Sequence, residues 1–231
     1  MKTVAIIPAG GAGRRMGGDV PKQFLPLSGL PVLVHTLRAF QRSPIIDEIF
    51  LAVPEGDMAA VRRDLVEEHG LSKVTAVLAG GAERQDSVAN ALTRVRDDHG
   101  IVLVHDGVRP FVTGELIRRV VAAAAEHGAV AVGLPVRDTV KSVSAAGIVV
   151  KTVDREGLWL TQTPQAFRRQ LICSAYEKAA QDGFSGTDDA SLVERMGASV
   201  RMILGDHDNI KITTPEDLAL GAIIIRRFSS G

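Results

Sequence analysis

The chain has a single cysteine, no net charge and no long apolar run, and each shortage removes a class of protein. Cys173 has no second thiol to pair with, so no internal disulfide staples the fold, and a reducing, cytoplasmic setting suits it. Lysine plus arginine and aspartate plus glutamate both total 27, so no overall field draws in a nucleic acid and any phosphate binding has to be local. The opening Met1 to Pro8 is too short for a signal-peptide core or a membrane span, and no later run is long enough. The six histidines include no pair at zinc-ligand spacing, and there is neither an internal repeat nor a low-complexity linker. What is there is 231 residues, 45% of them hydrophobic, which suits one α/β domain over residues 1–231.

Short β-branched runs recur at Val4 to Ile7, Ile49 to Val53, Val74 to Leu78, Ile101 to Val104 and Val130 to Leu134. Between them lie apolar residues at helical spacing, such as Val88, Leu92 and Val95, or Leu116, Ile117, Val120, Val121 and Ala124. This alternation predicts an α/β fold, a Rossmann-like three-layer sandwich with a mostly parallel central sheet. Ligands in such folds collect beyond the carboxyl ends of the strands, so the loops after strands matter most. From 138 to 159 the rhythm changes to two alternating runs joined through Ala145, Ala146 and Gly147, which predicts a protruding β-hairpin arm suited to a partner subunit. Thr214-Pro215-Glu216-Asp217 reads as a helix start: an N-cap, proline at the first helical position and acids in the first turn.

The loop from Pro8 to Lys22 places five glycines and three cations directly after the first strand. Glycine lets backbone N–H groups close on phosphate oxygens, and arginine and lysine neutralise them. Neither common phosphate motif fits. The dinucleotide fingerprint needs glycine where Met16 stands, and the Walker pattern needs Gly-Lys followed by a hydroxyl where the chain has Pro21-Lys22-Gln23. The remaining pattern, Gly-Gly-x-Gly-Arg-Arg-Met followed by Pro-Lys, resembles the signature loop of sugar nucleotidyltransferases.

Two further loops follow strands. Gly80 to Ser87 offers backbone groups and a hydroxyl to a base or ribose, or simply a capped helix start. His105 to Phe111 offers Asp106 as a hard oxygen ligand and Arg109 to a phosphate; the alternatives are a turn cap and a surface ion pair, with His105 a structural strand-end residue. With Arg137 to Lys141, Asp154 to Trp159, Thr161 to Phe167, Gly186 to Ser191 and Asp208 to Asp217, these motifs resemble, in order and from Ile6 to Leu218, the 2-C-methyl-D-erythritol 4-phosphate cytidylyltransferase family.

The resemblance implies a Mg²⁺-dependent transfer of the cytidylyl group of CTP onto methylerythritol phosphate in non-mevalonate isoprenoid biosynthesis, by a homodimer joined through the arm. It implies catalytic roles for Arg15, Lys22 and Lys211. It also implies a nucleotide site at Ala9, Gly10, Gly11, Gly81, Ala82 and Ser87, and Mg²⁺ or another divalent cation on Asp106. Arg109, Thr139, Arg155, Thr163 and Thr187 would hold the polyol phosphate, with Thr139 and Arg155 serving the neighbouring subunit. Two positions depart from the family. Ala82 stands where many members have an acid, and Asp106-Gly107-Val108-Arg109 replaces the frequent Asp-Ala-Ala-Arg. The Val-Arg-Pro-Phe form also occurs in ribitol 5-phosphate cytidylyltransferases, the nearest alternative; a non-catalytic nucleotide-binding module is the alternative of a different class. On the residues' own terms Trp159 can equally be a core anchor, Thr163 before Pro164 a turn former, and Lys211 part of a solvated strand face.

Overall fold

The computed structural model of the chain describes residues 1–11 and 20–229. In chain order the strands are β1 (Lys2–Pro8), β2 (Pro26–Leu27), β3 (Leu30–Pro31), β4 (Glu48–Val53), β5 (Val74–Ala79), β6 (His99–Val104), β7 (Ala129–Pro135), β8 (Val140–Val143), β9 (Val149–Val153), β10 (Trp159–Arg168) and β11 (Arg201–Leu204). The helices are α1 (Val32–Arg42), α2 (Met58–Val61, continued by a π turn), α3 (Arg84–Leu92), α4 (Gly114–His127), α5 (Arg169–Asp182), α6 (Asp189–Arg195) and α7 (Pro215–Ser229). Seven strands make the central sheet in the order β11-β7-β10-β6-β1-β4-β5. All pair in parallel except β10, which runs antiparallel to both of its neighbours. The fold is the expected α/β architecture with a mostly parallel sheet.

Strand alternation sorts the core into two layers. Ala5 and Ile7 of β1 pack with Leu37 and Phe40 of α1 and with Ile117 and Val120 of α4. Val4 and Ile6 face the other way, onto Val88 of α3, Ile172 of α5 and Val193 of α6. Burying both faces is why these strands read as continuous apolar runs. Truncating a fully buried side chain such as Phe40 in this layer costs about 3–5 kcal/mol.

Helix ends follow the local chemistry. Thr113 caps α4 by accepting the Leu116 N–H at 3.1 Å, and Gly128, at φ 90°, ends it. At α7, Thr214 Oγ1 accepts the Asp217 N–H at 3.3 Å while Asp217 accepts the Thr214 N–H at 2.9 Å, so the predicted start is a reciprocal cap. One expectation shifts: α3 stops at Leu92, and Val95 lies in a tighter turn, its N–H bonded three residues back to Leu92 at 3.0 Å.

β7 and β10 explain the antiparallel strand. The chain leaves β7, forms the arm β8–β9, and returns beside β7 as β10, so no crossover helix is needed to reverse it. The arm therefore leaves from the same edge as the carboxyl ends of the parallel strands. Gly147, at φ +79°, turns it, in the segment where the alternation breaks. Between Gln162 and Ala166 the ladder shifts register at Thr163-Pro164, since proline has no N–H to give.

Candidate active site

β1 lies where the strand order reverses, between β4 and β6, and the loops after β1, β5 and β6 meet beyond its carboxyl end. Backbone bonds fix them. Gly107 N–H donates to the Pro8 carbonyl at 3.1 Å, Ala9 N–H to Ala52 at 2.7 Å, and Gly80 N–H to Val53 at 2.7 Å. Glycine at 107 eases this approach, because a Cβ there would lie 3.0 Å from the Cβ of Ala9 and the neighbours would have to give slightly. A fourth segment joins when Ile212 N–H donates to the Val108 carbonyl at 2.8 Å, which brings in Lys211.

Two cavities open here. One, of about 480 Å³, is lined by Ala9, Gly10, Gly11, Lys22, Gly81, Ala82 and Ser87. The other, of about 230 Å³, is lined by Arg109, Thr163, Gln165, Thr187 and Asp188. Arg84, Asp106 and Lys211 line both, so they form the junction between the compartments. A larger cavity, about 610 Å³, lies between α1 and the start of α4. It has no glycine loop after a strand and no carboxylate in its lining, and is set aside.

Asp106 is the hub of the junction. Its Oδ1 accepts from Arg84 Nε at 2.9 Å, its Oδ2 pairs with Lys211 Nζ at 2.9 Å, and Arg109 Nε stands 3.6 Å from Oδ2. Burial disfavours its charged form, but the cations of Arg84, Lys211 and Arg109 outweigh that and hold the carboxyl well below its ordinary range. Below it, the Asp106 N–H donates to Thr163 Oγ1 at 3.1 Å, and that hydroxyl meets His105 Nδ1 at 3.1 Å. His105 Nε2 donates to the Arg109 carbonyl at 3.1 Å, so one neutral tautomer satisfies every contact. Burial lowers its pKa to about 4, and His105 is structural, as expected.

The competing assignments for Asp106, Arg109 and Lys211 fall away on geometry, whereas the capped helix start expected as the alternative for Gly80 to Ser87 is present, with Glu83 and Asp86 capping α3 reciprocally. Arg109 is 9% exposed, so its pairing with Asp106 is not a surface ion pair, and its Nη1 donates to the Asn209 carbonyl at 2.8 Å. The Asp106 side chain faces cations rather than capping a turn. Lys211 lies outside the strands and reaches the junction. Ser87 Oγ accepts from Gly81 N–H at 3.0 Å and donates to the Glu83 carbonyl at 3.1 Å, so it shapes the loop as well as lining the cavity. Gly81 is obligatory, because its Cβ would overlap Asp86. Thr139 and Arg155 lie exposed on the arm and line neither cavity. Arg15 lies outside the described residues.

Metal chemistry is constrained by the same donors. Among the described residues no three His, Cys, Asp or Glu side chains group to hold an ion. Asp106 is the one carboxylate shared by both cavities, and each of its oxygens keeps a lone pair beyond its contact with Arg84 or Lys211. That fits a cation held by one carboxylate and otherwise by phosphates and water, the habit of Mg²⁺.

Three side chains of the site were not picked out by sequence: Arg84, Asp189 and Tyr176. Arg84 Nη2 donates to Asp189 Oδ2 at 2.7 Å, and the Tyr176 hydroxyl donates to Asp189 Oδ1 at 2.6 Å. Arg84 and Asp189 stand inside quoted motifs, but 105 residues separate them, and no spacing rule joins them.

Residues 3–227 match the family model for 2-C-methyl-D-erythritol 4-phosphate cytidylyltransferase. The enzyme of that name from Syntrophus aciditrophicus is 51% identical, over 98% of this chain and 97% of its own length. Its counterpart from Geobacter metallireducens is 49% identical, over 98% of each. Among solved structures, 4-diphosphocytidyl-2C-methyl-D-erythritol synthase from Anaerococcus prevotii aligns with a TM-score of 0.84 at 32% identity, covering 97% of this chain and 96% of that one. The cytidylyltransferase from Thermus thermophilus aligns with a TM-score of 0.79 at 35% identity, covering 96% and 98%.

Proposed function

The chain belongs to the 2-C-methyl-D-erythritol 4-phosphate cytidylyltransferase family, and from that premise we propose how its own residues carry the reaction. The enzyme joins CTP to 2-C-methyl-D-erythritol 4-phosphate, giving 4-diphosphocytidyl-2-C-methyl-D-erythritol and pyrophosphate in isoprenoid biosynthesis. The observation that carries the residue assignments is the pair of unequal cavities sharing Arg84, Asp106 and Lys211. The larger takes the nucleotide and the smaller the polyol phosphate, so the reacting phosphates meet at the shared wall.

A phosphate monoester has its second pKa near ~6 and arrives largely dianionic, so no strong base is needed. One of its oxygens attacks the α-phosphorus, the bond from that phosphorus to the bridging oxygen breaks, and pyrophosphate leaves with the electron pair. The obstacle is mutual repulsion of anions. Lys22 and Arg15 neutralise the triphosphate and the departing pyrophosphate, and Lys211 and Arg109 orient the incoming phosphate. Ala9, Gly10, Gly11, Gly81, Ala82 and Ser87 surround the nucleotide; with no carboxylate at Ala82, base contact there uses main-chain atoms. Thr163 and Thr187 complete the polyol side. A divalent cation, Mg²⁺ by its donor preference, would be held by Asp106 and would supply charge neutralisation on the phosphates.

The arm completes a neighbour's site in a homodimer. Support comes from its place at the site edge, its exposed Thr139 and Arg155, and its apolar surface, with Ile148 68% and Val150 66% exposed. Among the described residues no helix is long and apolar enough to cross a membrane, and a cytoplasmic setting suits the lone thiol. The test is a pyrophosphate-release screen of CTP, UTP, ATP and GTP against methylerythritol 4-phosphate and ribitol 5-phosphate. CTP with methylerythritol phosphate is the expected pair. In Lys22→Ala turnover should fall about 10²- to 10³-fold with the fold intact; another winning pair, or normal turnover in the variant, contradicts the assignment.

A further inference from the structure

Arg84 occupies the first position of α3, and its guanidinium is held between two carboxylates that belong to different parts of the fold. Nε donates to Asp106 Oδ1 at 2.9 Å and Nη2 to Asp189 Oδ2 at 2.7 Å. Asp189 opens α6 and is fully buried, yet its second oxygen is also occupied, by the Tyr176 hydroxyl of α5 at 2.6 Å. Burial, then the Asp189 carboxylate, push the Tyr176 pKa up, so its hydroxyl stays a donor. The turn carrying Asp189 is fixed independently: Gln165 Nε2 donates to Asp188 Oδ2 at 2.7 Å, and Gln165 Oε1 accepts from Ala190 N–H at 2.9 Å. On the other side Gln85 clasps residues 184–186, its Oε1 accepting from Gly186 N–H at 2.9 Å and its Nε2 donating to the Phe184 carbonyl at 3.0 Å.

Stability alone does not call for this arrangement. A buried ionic group can often be replaced by apolar side chains of similar volume at no loss, whereas removing one partner leaves an uncompensated charge. What the ionic trio supplies is direction. Arg84 is 28% exposed where both its carboxylates are 9% exposed or less, and it lines both substrate cavities. Its Nε and Nη2 are taken by the two carboxylates, and no hydrogen bond of its Nη1 is found among the described residues.

We propose that Arg84 contacts the phosphates at the junction of the two cavities, and that Asp189 and Tyr176 are positioning residues that hold it there, Tyr176 acting through Asp189. The proposal rests on the transfer reaction assigned above. Because charge builds on the departing pyrophosphate, a group aimed at it binds the transition state and the product more strongly than CTP.

The test is a double-mutant cycle of Tyr176→Phe and Arg84→Ala, read by steady-state kinetics with CTP and methylerythritol 4-phosphate and by direct pyrophosphate binding. Arg84→Ala should lower kcat about 10²-fold and weaken pyrophosphate binding about tenfold. Tyr176→Phe, which removes one hydroxyl from a packed ring, should lower kcat severalfold with KM for CTP within about twofold. In the Arg84→Ala background Tyr176→Phe should then change neither readout, because nothing remains for it to position. Asp189→Glu should recover more activity than Asp189→Asn, and if either fails to fold the tyrosine cycle stands alone. Independent, multiplying losses in the double variant overturn the proposal, as does a Tyr176→Phe enzyme with unchanged kcat. Pyrophosphate binding needs no polyol substrate, so a wild-type chain inactive with methylerythritol phosphate counts against the assigned reaction while the binding cycle still decides this point.

Discussion

The two edges of the central sheet each carry a carboxylate ringed by cations, and only one of the two lines the paired cavities proposed to take the substrates. At the carboxyl edge Asp106 is shared by Arg84, Lys211 and Arg109. At the amino edge Glu48 accepts from Lys2 at 3.1 Å, Arg96 at 2.6 Å and Thr75 at 3.1 Å, with His99 Nε2 at 3.4 Å. Burial would raise the Glu48 pKa, but the hydrogen bonds from Lys2, Arg96 and Thr75 override it and bring the pKa down to about 2. A depressed carboxyl is therefore no mark of function by itself. The partners differ. Lys2 and Arg96 are 45% and 53% exposed and no cavity described at the active site includes them, whereas those of Asp106 wall two cavities fed by strand-end loops.

Matched lysines give the widest separation. Lys211→Met should cut kcat by about 10²- to 10³-fold, and Lys2→Met, the same chemical change on the other carboxylate, should leave turnover at the wild-type level in the pyrophosphate-release assay. An equal loss at Lys2 would break the distinction. A smaller and more selective effect is expected on the arm. Arg155→Ala should raise KM for methylerythritol 4-phosphate about tenfold while CTP affinity, read by titration, stays within about twofold. A parallel loss of CTP affinity contradicts a role on the polyol side.

Acid sharpens the contrast from the other direction. Glu48 has a folded pKa below its ordinary 4.5, so the unfolded chain takes up that proton first as pH falls. Its stabilisation is present above pH 4.5 and is lost as the pH falls from there toward 2. Glu48→Gln should lower the melting temperature by a few degrees at neutral pH, about 2–4 °C per kcal/mol lost, and flatten its dependence across that acid window. An unchanged melting curve at both pH values would show that the amino-edge cluster contributes nothing.

Much of this was legible in the residue order, because the relevant physics is local. The runs Val4 to Ile7 and Ile101 to Val104 are apolar throughout since both faces are covered, and Thr214 to Asp217 caps a helix with its own side chains. Gly80 to Ser87 and His105 to Arg109 stood out because strand ends are where α/β sheets bind ligands. Spacing could not supply the partnerships that define the junction. Asp106 finds Arg84 22 residues earlier and Lys211 more than a hundred later, and Tyr176 stands in no motif, so only the fold brings it to Asp189. The alternative of a surface ion pair for Arg109 failed for the same reason, since its buried guanidinium donates to the carbonyl of Asn209, a hundred residues later.

The direct test sets the two carboxylates against each other: pyrophosphate release from CTP and methylerythritol 4-phosphate by Asp106→Asn and Glu48→Gln, each variant first shown to be folded by its melting curve. A fall of about 10²-fold or more for Asp106→Asn, with Glu48→Gln retaining wild-type turnover, is the predicted result. Comparable turnover in the two variants would contradict the placement of the chemistry at the carboxyl edge.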